Sequence, residues 1–161
     1  TVVSFAEVYD LLMRYRVSCA VVDSRPEVRK AQELRDRASK DGTCDLWLCQ
    51  FTKAEKVGRA AYGMKLDYPR HLVSADRTQL LDATLDDIRM DPPRKTFPED
   101  IWRVKGWAEQ MTAPKRRMSA NSDRYIWDEG NAEDHYRFAD AYERVACDLH
   151  ARSGTYLGGS S

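Results

Sequence analysis

Two places in this chain put charge where it can do chemistry. The first is Asp23, which closes the apolar run of "CAVVDSRPEVRKAQEL", residues 19–34. Cys19 to Val22 suit a strand buried on both faces, where a carboxylate is unwelcome, so Asp23 belongs just past the sheet edge, within reach of water or a metal ion. The second is "WDEGNAEDHYRFADAYERVACDLHA", residues 127–151, which gathers Glu133, Asp134, His135 and Asp140 around the start of a long helix. Carboxylates at a strand end and a helix start are oxygen ligands for hard divalent cations, and an adjacent imidazole suits Mn²⁺ better than Mg²⁺. Two such ions about 3.5–4 Å apart activate a water and neutralise charge on an attacked phosphate, which is what hydrolysis of a phosphodiester requires.

Each place also has a plainer reading. Asp23 can cap the helix that follows it, and Glu133 and Asp134 gain from the positive end of a helix dipole with no ligand present. Asp134 and His135 diverge around the helix axis, so their spacing aims only one of them straight at a site. Asp140 lies more than a turn further along.

The elements that must position these residues follow from periodicity. Ser4 with Glu7 forms a capping box, and Phe5, Val8, Leu11, Leu12 and Tyr15 recur at helical spacing, which predicts an amphipathic helix over 4–16. "VSCAVVD" reads as a strand. Pro26 suits the first turn of a second helix, whose face is Val28, Ala31 and Leu34 and whose end is "KDGT". "CDLWLCQF" is a second strand, so helix, strand, helix and strand alternate with short connections, the pattern of a parallel pair in an α/β fold. Residues 52–70 read as a basic loop with an extended piece near Met64 to Asp67. "HLVSAD" follows as a strand, and Asp76 caps a helix with Leu80, Leu81, Leu85 and Ile88 on one face. "FPEDIWRVKGWAEQM" reads as one further helix from Pro98, with Ile101, Val104 and Trp107 aligned. "RRMSANSDRYIWDE" reads as two short strands turning at Asn121 to Asp123, and the last helix runs from about Ala132 to Ala151.

Composition fits one soluble domain over 1–157 with a disordered Gly/Ser tail at 158–161. The 161 residues hold 26 basic and 26 acidic side chains, so total charge points to no polyanion and a nucleic-acid role needs basic groups gathered on one face. Lys53, Lys56, Arg59, Arg94, Lys95, Lys115, Arg116 and Arg117 are the candidates for phosphate contact, with Arg116 and Arg117 foremost beside the hairpin; a solvated charged face is the alternative. No apolar stretch approaches the roughly 18 residues a bilayer span needs. The absence of a leader pattern and the apolar settings of Cys19, Cys44, Cys49 and Cys147 point to a reducing cytoplasm. Cys44, Cys49 and His71 read as packing residues in preference to a zinc set. Trp47, Trp102, Trp107 and Trp127 are assigned to packing within the core pattern in preference to base stacking, and Tyr136 and Tyr142 are expected to pack as well, though their spacing does not require one shared face. Neither GxxxxGK[ST] nor GxGxxG occurs, so nucleotide binding through either device is not encoded.

"CAVVDSRPE", "ADRTQLLDATLDDIR", "FPEDIWRVKGWAEQMTAPKRR" and "YIWDEGNAEDHYRFADAYERVA", in this order, resemble the C-terminal nuclease domain of tailed-bacteriophage large terminase subunits over about residues 1–148. The resemblance implies a ribonuclease H-like mixed sheet flanked by helices, on which acids from separate strands and the last helix converge on Mg²⁺ or Mn²⁺. It assigns Asp23, Asp134 and His135 as metal-binding catalytic residues, with Asp140 as a weaker fourth ligand. Its implied partners are concatemeric double-stranded DNA, an upstream packaging ATPase domain, the portal and the small terminase subunit, in the host cell cytoplasm. The family's first metal-binding aspartate stands on a strand ahead of the first helix, where this sequence opens, so no residue here takes that role and the fold is expected to be N-terminally truncated. The isolated chain is accordingly expected to bind metal poorly and to cut slowly or not at all.

Two other readings compete. A non-catalytic DNA-binding or portal-docking module would use the acids as caps alone. A receiver-like phosphoacceptor role for Asp23 lacks the acidic pair and the later lysine it requires.

Overall fold

The computed structural model describes residues 4–52, 61–120, 123–128 and 133–156. Helix α1 (Phe5–Arg14) opens with the capping box read from the sequence: Glu7 N–H donates to the Ser4 hydroxyl at 3.2 Å, and Ser4 N–H donates to the Glu7 carboxylate at 2.6 Å. Strand β1 (Cys19–Asp23), helix α2 (Val28–Asp41) and strand β2 (Asp45–Thr52) form a parallel crossover, with Cys19 beside Asp45 and Asp23 beside Cys49. Gly42 ends α2 in the left-handed region at φ 61°, which glycine adopts without a Cβ clash. Pro26 precedes α2 instead of entering its first turn, since the helix starts at Val28.

Strand β3 (Lys65–Asp67) runs antiparallel to β4 (Leu72–Asp76), and β4 is parallel to β2. The sheet order is β1-β2-β4-β3, a mixed sheet. Asp76 closes β4 and caps α3 (Arg77–Arg89), accepting from Gln79 N–H at 2.8 Å as its sequence position predicts. The helix predicted from Pro98 is broken. A short 3₁₀ turn at Ile101–Arg103 is separated from α4 (Trp107–Thr112) by Gly106 at φ 75°, a conformation that no continuous right-handed helix contains. Trp102 consequently leaves the core and is 71% exposed, its ring set edge-on to Trp107 at 5.2 Å between centroids. Strands β5 (Lys115–Met118) and β6 (Tyr125–Asp128) form the hairpin, and α5 (His135–Tyr156) closes the chain. Asn121 and the tail at 158–161 lie outside the described residues.

Alternation along the buried strands sends side chains to two cores, as a sheet covered on both faces requires. Leu46 and Leu48 pack with Tyr9, Leu12, Ala31, Leu34 and Ala38 from α1 and α2. Trp47, Val73 and Ala75 pack with Leu80 and Leu81 of α3 and Ala141, Val145 and Leu149 of α5. Helix α5 packs on this face against β1, and Tyr142, two turns into the helix, meets Asp23 at the carboxyl end of the strand. Among the described residues no helix is long and apolar enough to cross a membrane.

Candidate functional site

In an open α/β sheet the carboxyl ends of the parallel strands carry the loops and helix starts that form a crevice. Here that edge holds Asp23 at the end of β1 and Asp76 beside Thr52 at the ends of β4 and β2. A groove of about 770 Å³ runs from this edge down the whole of β1, walled on the other side by α5. Asp23, Asp134 and His135 all line it. The sequence spacing had allowed only one of Asp134 and His135 to face a site. Both do so because Asp134 stands just ahead of the helix, its carbonyl accepting from Phe138 N–H at 3.1 Å, while His135 is the first helical residue.

Asp23 is exposed and held at both oxygens. Arg25 N–H donates to Oδ1 at 2.8 Å, a local turn that also starts the path into α2. Tyr142 on α5 donates its phenol O–H to Oδ2 at 2.7 Å. The Tyr142 ring stacks on Phe51 of β2 with centroids 6.0 Å apart, and Phe138 tilts against both rings. Burial foremost, then the bond to Asp23, pushes the Tyr142 phenol far above its ordinary range, so it stays a donor. Cys49, beneath Asp23 in the register, is pushed up to about 12 by burial and then by that carboxylate, which keeps it a neutral packing thiol.

Asp134 is the second carboxylate of the groove. Its Oδ2 is buried with no hydrogen-bond partner. Burial raises its pKa and outweighs the opposing pull of Arg77, His135 and its own backbone N–H. Arg77, the first residue of α3, carries its guanidinium 5.2 Å from the Phe138 ring centroid, and its charge reaches both Asp134 and Tyr142. Glu133 is exposed and accepts from Gln110 Nε2 at 3.2 Å.

Asp140 lies apart from this groove. It is buried on α5, where Lys95 donates to Oδ1 at 2.6 Å and Arg137 to Oδ2 at 3.5 Å, and it lines a neighbouring cavity with Phe97 and Trp107. Among the described residues no three His, Cys, Asp or Glu side chains are grouped as a metal site. Asp23 and Asp134 supply hard oxygen donors and an unsatisfied buried atom, which suits a divalent cation, but a full coordination shell needs donors beyond them.

Tyr142 packs on Phe51 and Phe138 as the sequence leads one to expect, but its bond to Asp23, and the place of Phe51 and Phe138 at the groove, go beyond that expectation. The signal was present: His135, Phe138, Ala139, Tyr142, Glu143 and Ala146 repeat every three or four residues and so form one stripe of α5, the stripe that faces β1.

Of the basic candidates, Lys53, Lys56 and Arg59 lie outside the described residues. Lys95 is engaged internally with Asp140 and Glu143, whereas Arg94 is an exposed side chain 3.8 Å from the buried Asp87 carboxylate. Lys115, Arg116 and Arg117 are exposed on β5; Arg116 pairs with Asp82 at 3.2 Å and Arg117 with Asp128 at 2.6 Å.

Compared with family models, with curated proteins and with solved structures, the chain matches none.

Proposed function

We propose that this chain is the nuclease domain of a terminase-type DNA-packaging machine, a ribonuclease H-like unit that hydrolyses phosphodiester bonds of concatemeric double-stranded DNA in the host cell cytoplasm. The observation that carries the reading is the shared groove. Asp23 at a strand end and the Asp134/His135 pair at a helix start, distant in sequence, open into one crevice at the carboxyl edge of a parallel sheet. Asp23, Asp134 and His135 would hold Mg²⁺ or Mn²⁺ there, and the ion supplies acidity to a water and charge neutralisation at phosphate.

The chain's own groups do the rest. Arg25 N–H and Tyr142 fix the Asp23 carboxylate, Phe51 and Phe138 shield the inner side of the groove, and Arg77 adds positive charge next to Asp134. Strand β1 pairs only with β2 among the described residues, so its outer edge is open to one more strand. A strand added there and ending in a carboxylate beside Asp23 would complete both the sheet order and the ligand set. The upstream ATPase domain, the portal and the small terminase subunit are the partners this reading brings.

Plasmid nicking tests it. The isolated chain should bind Mn²⁺ weakly and nick supercoiled DNA slowly or not at all. A chain extended by such a strand ahead of residue 1 should nick with Mg²⁺ or Mn²⁺, and Asp23→Asn should abolish nicking while the circular dichroism spectrum is retained. Nicking by the extended chain that survives Asp23→Asn would overturn the catalytic assignment.

A second reading has its own observation. All four residues of β5, Lys115 to Met118, are exposed, a basic ribbon suited to lie on a duplex or on the portal without catalysis. A module of that kind would be indifferent to Asp23→Asn.

A further inference from the structure

We propose that Tyr142 is the positioning residue of the groove, clamping Asp23 so that its remaining lone pairs face the space shared with Asp134. This rests on the cation-binding reading of the groove. An ionised carboxylate offers about four lone-pair sites on two oxygens. Arg25 N–H takes one site on Oδ1 and the Tyr142 phenol one on Oδ2, so each oxygen keeps a second site and the plane of the carboxylate is fixed.

The clamp is rigid because its parts are. Arg25 is two residues from Asp23 on the same turn, and Tyr142 comes from the other wall, 119 positions away. The Tyr142 ring lies nearly parallel to Phe51, at 17° between planes, and Phe138 on the preceding turn of α5 touches both. A phenol held by two aromatic neighbours and one hydrogen bond has little freedom to turn away. Without it, Asp23 is an exposed side chain fastened at one oxygen only, and ordering it becomes part of the cost of binding a cation.

A merely structural role, a tie between α5 and β1, predicts something different. Tyr142→Phe removes one atom and keeps the ring stack, and the exposed Asp23 oxygen it frees can be hydrated, so the variant folds. As a structural tie it would lower stability alone.

The experiment is a Mn²⁺ titration of the full chain followed by paramagnetic broadening of the backbone amide signals of Val22, Asp23 and Ser24, alongside thermal unfolding without metal. This reads binding however weak and needs no catalytic activity. Asp23→Asn should abolish the localised broadening. Tyr142→Phe should keep the broadening at the same amides but weaken the apparent dissociation constant about tenfold, the lower end of what loss of a ligand-orienting hydrogen bond produces. If Asp23→Asn abolishes binding and Tyr142→Phe binds as tightly as the parent or tighter, the positioning role is overturned and the cation groove stands. If the parent chain shows no broadening localised at these amides, or Asp23→Asn leaves it unchanged, the cation groove itself is overturned and the role of Tyr142 with it.

Discussion

Lys95 donates to Asp140 Oδ1 at 2.6 Å, and the same ammonium reaches Glu143 on α5. Arg137 approaches Asp140 from the other side and donates to the Leu81 carbonyl at 2.6 Å, which ties α5 to α3. One buried carboxylate thus balances two cations, and its motif position, next to a cluster of groove acids, conceals a structural duty. Asp140→Ala is expected to destabilise the fold by about 3–5 kcal/mol, because Arg137 is left buried without its counter-charge. Mn²⁺ broadening at Val22 to Ser24 is expected to be unchanged. Urea unfolding and the Mn²⁺ titration together check this, and a variant that keeps its stability but loses the cation would return Asp140 to the ligand set.

The thiols give a pH prediction. Burial, and after it the Asp45 carboxylate, pushes Cys19 from 9.0 up to about 12 and Cys44 up to about 11; burial and Asp23 push Cys49 up to about 12. Below pH 9.0 the folded and unfolded chains both keep these protons, and the full stability is present. As pH rises from there toward 12, the unfolded chain releases protons that the folded chain retains, so stability falls. Urea midpoints measured across that alkaline window should decline, and the decline should be shallower in Cys49→Ala. At mild pH the exposed Cys147 should react first with iodoacetamide, Cys19, partly exposed along the groove, more slowly, and the buried Cys44 and Cys49 only on unfolding.

The β5 ribbon makes a salt prediction. Arg116 and Arg117 sit in exposed ion pairs with Asp82 and Asp128, pairs that are worth little in water and exchange readily for phosphate. Replacing Lys115, Arg116 and Arg117 together by Gln should weaken duplex binding without regard to sequence. It should also flatten the slope of log affinity against log salt by up to about 2.7, since each phosphate contact contributes about 0.9. Asp82→Asn should strengthen binding modestly. An unchanged slope in the triple variant, by fluorescence anisotropy, would remove this face from the DNA interface.

What was readable in the chain was local. The Ser4/Glu7 box, the Asp76 cap and the parallel pair β1-β2 each depend on residues a few positions apart or on a period within one element, and each stands where its spacing puts it. The failures are pairings made at a distance. Lys95 lies 45 positions from Asp140, and Tyr142 lies 119 from Asp23, so neither partner could be read from its own neighbourhood. The broken helix at Gly106 has a different cause: Ile101, Val104 and Trp107 do keep helical spacing, but one left-handed residue between them redirects the chain and leaves Trp102 in solvent.

Asp134 carries the sharpest test of the groove. Its Oδ2 is buried without a hydrogen-bond donor, and burial outweighs the attraction of Arg77 and His135, so the ionised side chain is held at a cost in the metal-free fold. Asp134→Asn removes the charge with almost no change in shape, so without metal it should unfold at a higher temperature than the parent. Mn²⁺ should reverse the order. A cation that binds only the folded parent raises its stability by RT ln(1 + [L]/Kd), about 2.7 kcal/mol at a hundredfold excess over Kd, while the Asn variant gains little. Differential scanning calorimetry with and without Mn²⁺ reads both halves. If parent and variant respond equally to Mn²⁺, the cost of burying Asp134 serves some purpose other than holding a cation.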